Sequence, residues 1–451
     1  MSDIIAAIAT GRAPCAIGIL RLSGPGCAAL TGRVFTPKQP FADAPDRRLV
    51  LGLLHDRQGR VIDECLGVVC RAPHSYTGEE TVELQCHGSP AMLAAGLEAL
   101  LAAGARQAGP GEFTRRAFLN GKLDLTQAEA VVDLIDAETA DAAANAAGQL
   151  GGALKRAIGP VYDGLTDLCS HFHAVLDYPD EDIEDFGAAE LSGALDRAGA
   201  ALQELLATYE KGRHLRQGVR AVLLGKPNAG KSSLLNRLAG YDRVIVTDIA
   251  GTTRDTVEEP VRVGRVLLRL TDTAGIREAG DAIEALGVAR SEQAAREAEL
   301  ALFVCDGSQP LTDEDRRAIE AAKCAPRSLA LCNKSDLPAA VSPDELPFDT
   351  VLTVSARTGA GLDALPALLD GWFLGENACD GSLLTNPRQF GALDRASRAI
   401  ERAKAGLSLG VTPDAVLTDV EEAMAALGEV TGRTVREDIT NRIFERFCVG
   451  K

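Results

Sequence analysis

The sequence predicts a multidomain α/β protein, in which a small α+β domain precedes a helical domain that an α/β domain interrupts. Three observations lead to this fold class. The chain has 451 residues, which is too long for one hydrophobic core. An apolar run at residues 219–224 is followed by a glycine-containing loop and a helix-forming segment. Alanine-rich helical segments flank this α/β region on both sides.

Composition narrows the functional classes. Hydrophobic residues make up 46% of the chain and charged residues 25%, as in globular proteins. The net charge of −17 disfavours a broad basic face for nucleic acid, so any RNA would be held by a local patch or a partner. The 11 cysteines lack a CxxC pair, which favours reduced thiols over a zinc cluster. No targeting peptide or bilayer-length apolar run is found, and we expect a cytoplasmic protein that does not enter membranes.

The N-terminal domain is predicted over residues 1–119, where short apolar runs alternate with glycine and proline. Strands are expected at residues 4–8, 16–20, 50–54, 66–69 and 81–84, and a helix at 90–103. Arg21, Glu83 and Lys122 are the polar candidates for ligand contact. Their spacing alone is typical of solvated surface charges, so the residues by themselves assign no ligand here.

The first helical segment covers residues 120–216. Thr126 and Glu129 have the spacing of a capping box, so a helix is expected to begin there and to run through Ile135. Further helices are predicted over residues 161–176 and 191–209, and the acidic run at 180–185 is interpreted as a solvated linker. His171 and His173 would lie on different faces of a helix, which disfavours a shared metal ion.

The α/β domain is predicted over residues 217–375 and the second helical segment over residues 376–451. Strands are expected at residues 219–224, 257–263, 266–271, 300–305, 328–332 and 350–354. Helices are expected at 388–407, from Pro413 onward and at 434–447. Because the ends of a compact domain usually lie close together, we expect the α/β domain to be inserted into one helical domain built from both flanks.

The loop after the first strand of this domain has the P-loop sequence GKPNAGKS at residues 225–232. Its glycines let backbone N–H groups face phosphate oxygens, and the following helix N-terminus adds positive potential. Lys231 is expected to contact the terminal phosphates, and the Ser232 hydroxyl to bind Mg²⁺. The other predicted nucleotide contacts in this loop are Asn228, Ala229, Gly230 and Ser233.

Four further motifs follow in the order that a Ras-like GTPase requires. Thr253, in a polar loop, can offer its hydroxyl to Mg²⁺ and its amide to the γ-phosphate, and Asp272 can hold the metal through water. The Asp336 carboxylate can accept hydrogen bonds from guanine N1–H and the 2-amino group, which adenine lacks. The motifs also contain Gly251, Thr252, Thr273, Ala274, Gly275, Asn333, Lys334, Ser355, Ala356 and Arg357. The ordered set predicts GTP as the nucleotide.

The hydrolytic residue departs from the Ras-like pattern. Ile276 occupies the position of the water-orienting glutamine, and an aliphatic side chain cannot orient water. Either hydrolysis is very slow, or another polar residue such as Asp281 or Glu284 has taken over the role. Asn228 could hold a monovalent cation against the phosphates, where charge develops in the transition state.

The whole chain resembles the MnmE (TrmE) family of tRNA-modification GTPases, and the likeness extends beyond the GTPase motifs. The residues that carry it are GILRLSG at 18–24, SYTGEE at 75–80, PGEFT at 110–114, AFLNGKLDL at 117–125, Ile443, Phe444 and the ending FCVGK at 447–451. The family usually ends in Cys-Ile-Gly-Lys, so Val449 is a mild departure.

This resemblance implies an N-terminal domain that dimerises and binds a tetrahydrofolate carrier, 5,10-methylene- or 5-formyltetrahydrofolate. The matching positions are Arg21, Glu83, Lys122 and Lys451. It also implies a K⁺ ion bound by Asn228 of the P-loop and by Thr247, Ile249 and Thr252 of a later loop. Asp248 and Ala250 of that later loop are predicted to contact GTP. The family's water-orienting glutamate matches Glu284.

The resemblance further implies partners and a product. The homodimer would join an FAD-dependent MnmG-type partner in a heterotetramer and install a carboxymethylaminomethyl or aminomethyl group at carbon 5 of the tRNA wobble uridine. Cys448 is a candidate nucleophile at the folate site, or a thiol that packs beside Phe447.

Two other functions compete with this reading of the sequence. A ribosome-assembly GTPase shares the nucleotide motifs, but such a protein would carry a second G domain or a basic tail, and this acidic chain has neither. A folate-dependent transferase regulated by its G domain would transfer one-carbon units without nucleotide turnover.

Overall fold

The computed structural model describes residues 3–11, 13–177, 188–241, 258–272, 284–375, 379–411, 413–433, 443–445 and 447–450. The chain divides into two compact units. The first comprises Met1–Val132, Ile158–Asp185 and Ala405–Lys451, and the second comprises Asp133–Ala157 and Phe186–Lys404. Both contain sheets and helices, so the prediction of a multidomain α/β protein is confirmed, whereas the domain boundaries drawn from the sequence stay a prediction.

A seven-stranded sheet forms the centre of the first unit. Its strands are β1 (Ile5–Ile8), β2 (Cys15–Ser23), β3 (Phe35–Pro37), β4 (Val50–His55), β5 (Val61–Cys70), β6 (Thr81–Gly88) and β7 (Arg106–Gln107), in the order β3-β4-β5-β6-β2-β1-β7. All neighbours are antiparallel except β1 and β7. Helix α1 (Cys27–Thr31) comes after β2, α2 (Pro90–Ala102) after β6 and α3 (Glu112–Leu119) after β7.

The two faces of this sheet differ. Alternate strand residues such as Leu20 and Leu84 are buried in one core with Leu93 and Leu100 of α2. On β4, Leu51 and Leu53 alternate with these core positions and stay exposed, together with Leu49 just before the strand. The five strands and the helix predicted for this region are therefore confirmed, with β5 beginning earlier than expected.

The helix after this region begins at a different cap from the one predicted. Helix α4 (Leu125–Ile135) already contains Thr126, and Asp124 precedes it. The Asp124 carboxylate accepts from the Gln127 amide at 2.9 Å, while the Gln127 side chain accepts from the Asp124 amide at 3.0 Å. The capping box is therefore formed by Asp124 and Gln127. The Asp124 carboxylate also accepts from the Thr126 hydroxyl at 2.6 Å, so the Thr126 side chain is a donor to the cap residue and not the cap itself.

Among the described residues, four further helices precede the second sheet: α5 (Ala140–Leu150), α6 (Ala153–Asp177), α7 (Ala188–Ala207) and α8 (Tyr209–Gln217). The predicted start of α6 at residue 161 is wrong, since Pro160 lies inside the helix. Burial of Leu154, Ile158 and Leu165 offsets the hydrogen bond that this proline cannot donate. The single helix predicted over 191–209 is interrupted at Thr208, where α7 and α8 meet.

The second unit contains a six-stranded sheet with the order β13-β12-β11-β8-β10-β9. Its strands are β8 (Val219–Leu224), β9 (Glu258–Val263), β10 (Val266–Asp272), β11 (Leu300–Asp306), β12 (Arg327–Asn333) and β13 (Val351–Thr353). All neighbours are parallel except β9 and β10. The carboxyl ends of β8, β10, β11 and β12 therefore face one edge of the sheet, where ligands bind in α/β folds of this kind.

In the part of the chain that the structure describes, the remaining helices are α9 (Lys231–Tyr241), α10 (Glu284–Glu297), α11 (Asp313–Ala322), α12 (Ala364–Phe373), α13 (Pro387–Ser408) and α14 (Pro413–Thr431). The six predicted strands and the helix from Pro413 are confirmed. The predicted helix at 434–447 lies largely outside the described residues, as does the acidic run at 180–185. Among the described residues, no helix combines the length and apolar character needed to cross a membrane.

Candidate functional site

The P-loop turns from β8 into α9 at two glycines that no other residue could replace without strain. Gly225 has φ +145°, and a Cβ atom there would lie 2.1 Å from the Val304 carbonyl oxygen of β11. Gly230 has φ +98°, and its Cβ would lie 2.2 Å from Nδ2 of Asn333. The loop is therefore pressed against the ends of the neighbouring strands, as the predicted strand, loop and helix require.

Lys231 lies inside this loop rather than in solvent. Its ammonium donates to the carbonyl oxygens of Gly225 at 2.7 Å and Lys226 at 2.8 Å, and the residue is 8% exposed. Phosphate oxygens would compete with these carbonyls for the same protons. Ser232 and Ser233 are exposed in the first turn of α9, where their side chains can meet a ligand.

Two residues that the sequence did not single out hold the loop from behind. Lys226 forms an ion pair with Asp315 of α11 at 2.9 Å, and the Asp315 side chain is fully buried. The same carboxylate accepts from the Thr312 amide and hydroxyl at the start of α11. The sequence does contain Lys226 in the P-loop and a capping-box pattern at Thr312 and Asp315. Their separation along the chain, however, gives no indication that Lys226 and Asp315 form an ion pair.

Asn333 joins three loops of the site. Its Nδ2 donates to the carbonyl oxygen of Ala229 in the P-loop at 2.9 Å. Its Oδ1 accepts from the Ala356 amide, also at 2.9 Å. Since Asn333 is 2% exposed, both bonds are shielded from water. The phosphate end and the base end of the candidate nucleotide site are thereby tied to one side chain.

Asp336 is fixed at the base end by two neighbours. Its carboxylate accepts from the Ser355 hydroxyl at 2.6 Å and pairs with the Arg357 guanidinium at 3.0 Å. The Ser355 hydrogen bond, aided by the charges of Arg357 and Lys334, holds the pKa of Asp336 below its usual value. Asp336 is therefore ionised at neutral pH and keeps lone pairs for donors on a ligand.

Lys334 forms a further contact that the sequence did not predict. Its backbone has φ +66°, and its ammonium pairs with Asp306 at the end of β11 at 2.6 Å. Burial would raise the pKa of Asp306, but hydrogen bonds from Lys334 and Ser308 outweigh burial and keep that pKa below its usual value. The signal that could have identified Asp306 is an aspartate directly after the fully buried strand residues 300–305.

Several predicted contacts lie outside the described residues: Thr247, Asp248, Ile249, Ala250, Gly251, Thr252, Thr253, Thr273, Ala274, Gly275 and Lys451. Asp272 is the last residue of β10 and Glu284 the first of α10, but only their backbone positions are described. Asn228 is exposed at the crest of the P-loop with φ +61°. The roles of these residues stay predictions.

A second candidate site lies on the sheet of the first unit, around Arg21. Arg21 of β2 and Glu83 of β6 are register partners, and their side chains pair at 2.8 Å. The Arg21 guanidinium carbon lies 5.6 Å from the ring centroid of Tyr76 and 5.8 Å from that of Phe113. The site thus combines one cation, one anion and two aromatic rings.

The end of the chain meets this second site. Val449 forms a β-bridge with Pro110, and the Gly450 carbonyl oxygen accepts from Arg21 at 3.4 Å. Cys448 is exposed while Phe447 is buried, so the alternative in which this thiol packs beside Phe447 is not what the structure has.

Lys122 lies at the segment that carries Tyr76. Its ammonium donates to the Pro73 carbonyl oxygen at 3.1 Å, and a Cβ at Gly78 would touch its side-chain stem. The described members of the predicted folate set are therefore brought to one end of the first unit.

Comparisons with known proteins cover nearly the whole chain. A family model described as "GTP-binding protein TrmE N-terminus" matches residues 4–122, and one described as "MnmE helical domain" matches residues 125–448. A tRNA modification GTPase MnmE from Roseiflexus sp. (strain RS-1) is 45% identical over 465 residues, which cover 100% of this chain and 99% of the relative. The proteins of the same name from Symbiobacterium thermophilum and Aquifex aeolicus are 44% and 41% identical, and each match covers 100% of this chain and at least 99% of the relative.

Proposed function

This chain belongs to the MnmE family of tRNA modification GTPases, and from that premise we propose that it hydrolyses GTP at the carboxyl edge of the second sheet. One observation supports the proposal above others. The ionised Asp336 carboxylate, fixed by Ser355 and Arg357, is linked through Asn333 to the phosphate-binding loop. A group that accepts hydrogen bonds from guanine is thereby set at a fixed distance from groups that bind phosphates.

Exchange of Asp336 for asparagine tests this assignment. The Asp336→Asn amide presents a donor where guanine also presents a donor, so GTP binding should weaken strongly. Xanthosine triphosphate has a carbonyl oxygen at position 2, which can accept from the amide of the variant. It should therefore bind more tightly to Asp336→Asn than to the parent protein. Asp349→Asn, at an exposed carboxylate in the same unit, is the matched control. Unchanged GTP affinity in Asp336→Asn would remove Asp336 from the base site.

The proposed metal sites use the P-loop and the segment that follows it. Mg²⁺ would be held by Ser232 and Thr253 beside the phosphates. K⁺ would be held by Asn228 with Thr247, Ile249 and Thr252. Support comes from the exposed position of Asn228 at the loop crest, which leaves its carboxamide oxygen open to an ion. Glu284, at the start of α10, would orient the attacking water.

For the Arg21 site we propose a tetrahydrofolate one-carbon carrier, either the 5,10-methylene or the 5-formyl form. Arg21, Lys122 and Lys451 would attract the carboxylates of the glutamate tail, and Glu83 would accept from the amino-pyrimidine part of the pterin. The rings of Tyr76 and Phe113 offer apolar surface to the planar heterocycle. Cys448, exposed beside this site, is the proposed nucleophile.

The proposed assembly is a homodimer through the first sheet. Ile17, Leu49, Leu51 and Val61 are large apolar residues in or next to the strands of this sheet, and each is more than half exposed. A second copy of the chain would cover them. The dimer would then join an FAD-dependent MnmG-type partner in a heterotetramer that acts on tRNA in the cytoplasm.

The proposed product is a carboxymethylaminomethyl or aminomethyl group on carbon 5 of the wobble uridine. The domain plan that goes with it is an α+β folate domain, a helical domain assembled from two segments and an inserted Ras-like GTPase domain. Mass spectrometry of wobble nucleosides in tRNA from cells with and without the gene tests the pathway. Loss of the modified uridines, and their absence again with Asp336→Asn, is expected. Unchanged nucleosides would overturn it.

A further inference from the structure

Three potential metal ligands meet inside the first unit, and none of them belongs to either candidate site. Asp63 and Cys65 lie on β5 and Cys86 lies on β6, and one ligand atom of each falls within 4.8 Å of the other two. Leu66 pairs with Gln85 across these antiparallel strands. The same register, continued by one residue, sets Cys65 opposite Cys86, so two thiols share one face of the sheet.

This face is the core face, not the one that carries the Arg21 site. Cys65 and Cys86 are each 3% exposed and pack in one core with Leu93 of α2. Glu83 is three residues from Cys86 along β6, and side chains an odd number of residues apart point to opposite faces of a strand. The cluster is therefore separated from the proposed folate site by the sheet itself.

His87 fixes the orientation of the carboxylate. The His87 backbone amide donates to Oδ2 of Asp63 at 2.8 Å, and its Nδ1 lies 2.7 Å from Oδ1. The Asp63 side chain is 8% exposed, whereas that of His87 is 80% exposed. Each carboxylate oxygen keeps a further lone pair for a metal. Hydrogen bonds from outside the ligand set are the usual support of ligating carboxylates.

We propose that Asp63, Cys65 and Cys86 bind one Zn²⁺ ion, with His87 as a positioning residue and water as the fourth ligand. Two thiolates and one carboxylate oxygen suit zinc, whose bonds to sulfur are about 2.3 Å and to oxygen about 2.0–2.2 Å. Tetrahedral bonds of these lengths separate the ligand atoms by about 3.4–3.8 Å, which lies within the spacing of the cluster. Two soft thiolates disfavour Mg²⁺ and Ca²⁺.

Binding converts both thiols into thiolates. The Cys65 and Cys86 protons leave to solvent as the two zinc–sulfur bonds form, and no oxidation state changes. The ion would join β5 to β6, two internal strands of the sheet, where Cys86 lies close in sequence to the start of α2. This proposal is independent of the nucleotide and tRNA assignments, because none of its residues belongs to those sites.

Cobalt substitution in the full chain tests the proposal. Zn²⁺ has a filled d shell and no useful spectrum, so Co²⁺ is titrated into chelator-treated protein without nucleotide. A thiolate-to-cobalt charge-transfer band is expected to saturate at one equivalent and to disappear when Zn²⁺ is added. Cys65→Ser should abolish the band. Cys27→Ser, at a buried thiol of α1 in the same unit, should leave it unchanged.

Two further variants keep the result decisive if Cys65→Ser fails to fold. Asp63→Asn retains the shape of the side chain and should weaken Co²⁺ binding strongly. His87→Ala should weaken it by about 10- to 100-fold while the band itself is retained, as expected of a positioning residue. Absence of the band, or its persistence in Cys65→Ser, would overturn the site.

Discussion

Asn333 offers the sharpest test of how the nucleotide site is held together. Replacing it with alanine removes the hydrogen bonds to the Ala229 carbonyl and from the Ala356 amide. Ala229 is 0% exposed and Ala356 is 8% exposed, so neither backbone group gains free access to solvent. A buried polar group left without a partner costs about 1–3 kcal/mol, and the pair therefore costs about 2–6 kcal/mol.

The single tryptophan of the chain provides the assay. Trp372 lies in α12 of the second unit, where the Arg327 guanidinium is 5.5 Å from its ring centroid. Its fluorescence during urea unfolding reports on that unit. With a urea slope of about 2 kcal/mol per M, the midpoint of Asn333→Ala should fall by about 1–3 M. GTP affinity should fall as well, because the P-loop loses its connection to the base end.

Ser335→Ala is the control for this experiment. Ser335 is exposed two residues after Asn333, and its backbone amide donates to the Val354 carbonyl oxygen at 3.1 Å. Its free energy of unfolding should change by less than about 0.5 kcal/mol. If Asn333→Ala has the same urea midpoint and the same GTP affinity as the parent, the two buried hydrogen bonds do not organise the site and the reasoning fails.

Three other predictions address the chemistry and the acid stability. GTP hydrolysis should be faster in K⁺ than in Na⁺ at equal ionic strength, and Asn228→Ala should remove that difference; equal parent rates would exclude a catalytic cation at Asn228. Glu284→Gln should bind GTP normally while hydrolysis collapses, since the amide removes the negative charge and one of the two acceptor oxygens that would hold the water at this position; normal turnover would assign the role elsewhere. Glu299 is partly desolvated, which raises its pKa, but hydrogen bonds from His214, Arg213 and the Arg220 amide prevail and lower the pKa to about 2. Its contribution to the free energy of unfolding is therefore present above about pH 4.5 and is lost as the pH falls toward 2. When that free energy, measured through Trp372 fluorescence, is plotted against pH, the fall over this range should be smaller for Glu299→Gln than for the parent. The exposed control Glu314→Gln should leave the plot unchanged, and an unchanged plot for Glu299→Gln would contradict the assignment.

The sequence alone located the elements that depend on local chemistry. The strand, the loop and the helix around residues 219–241 follow from an apolar run, glycines and a helix-forming segment, and each is where it was predicted. Buried parallel strands such as β11 read as continuous apolar runs because both faces are covered. The family likewise follows from motifs that are contiguous in the chain. In all of these cases the determining interactions span only a few residues.

Tertiary structure decided which distant residues meet. The capping box formed at Asp124 rather than Thr126, because the competition between two nearby caps depends on how the chain enters α4. Asn333 reaches Ala229, 104 residues away, and Lys334 reaches Asp306, 28 residues away; no spacing rule connects these pairs. The separation of Cys65 and Cys86 along the sequence does not indicate that they are neighbours, whereas the register of β5 and β6 places them opposite each other. Local patterns encode elements and loop conformations, but strand register and packing, which involve the whole chain, fix the neighbours of each side chain.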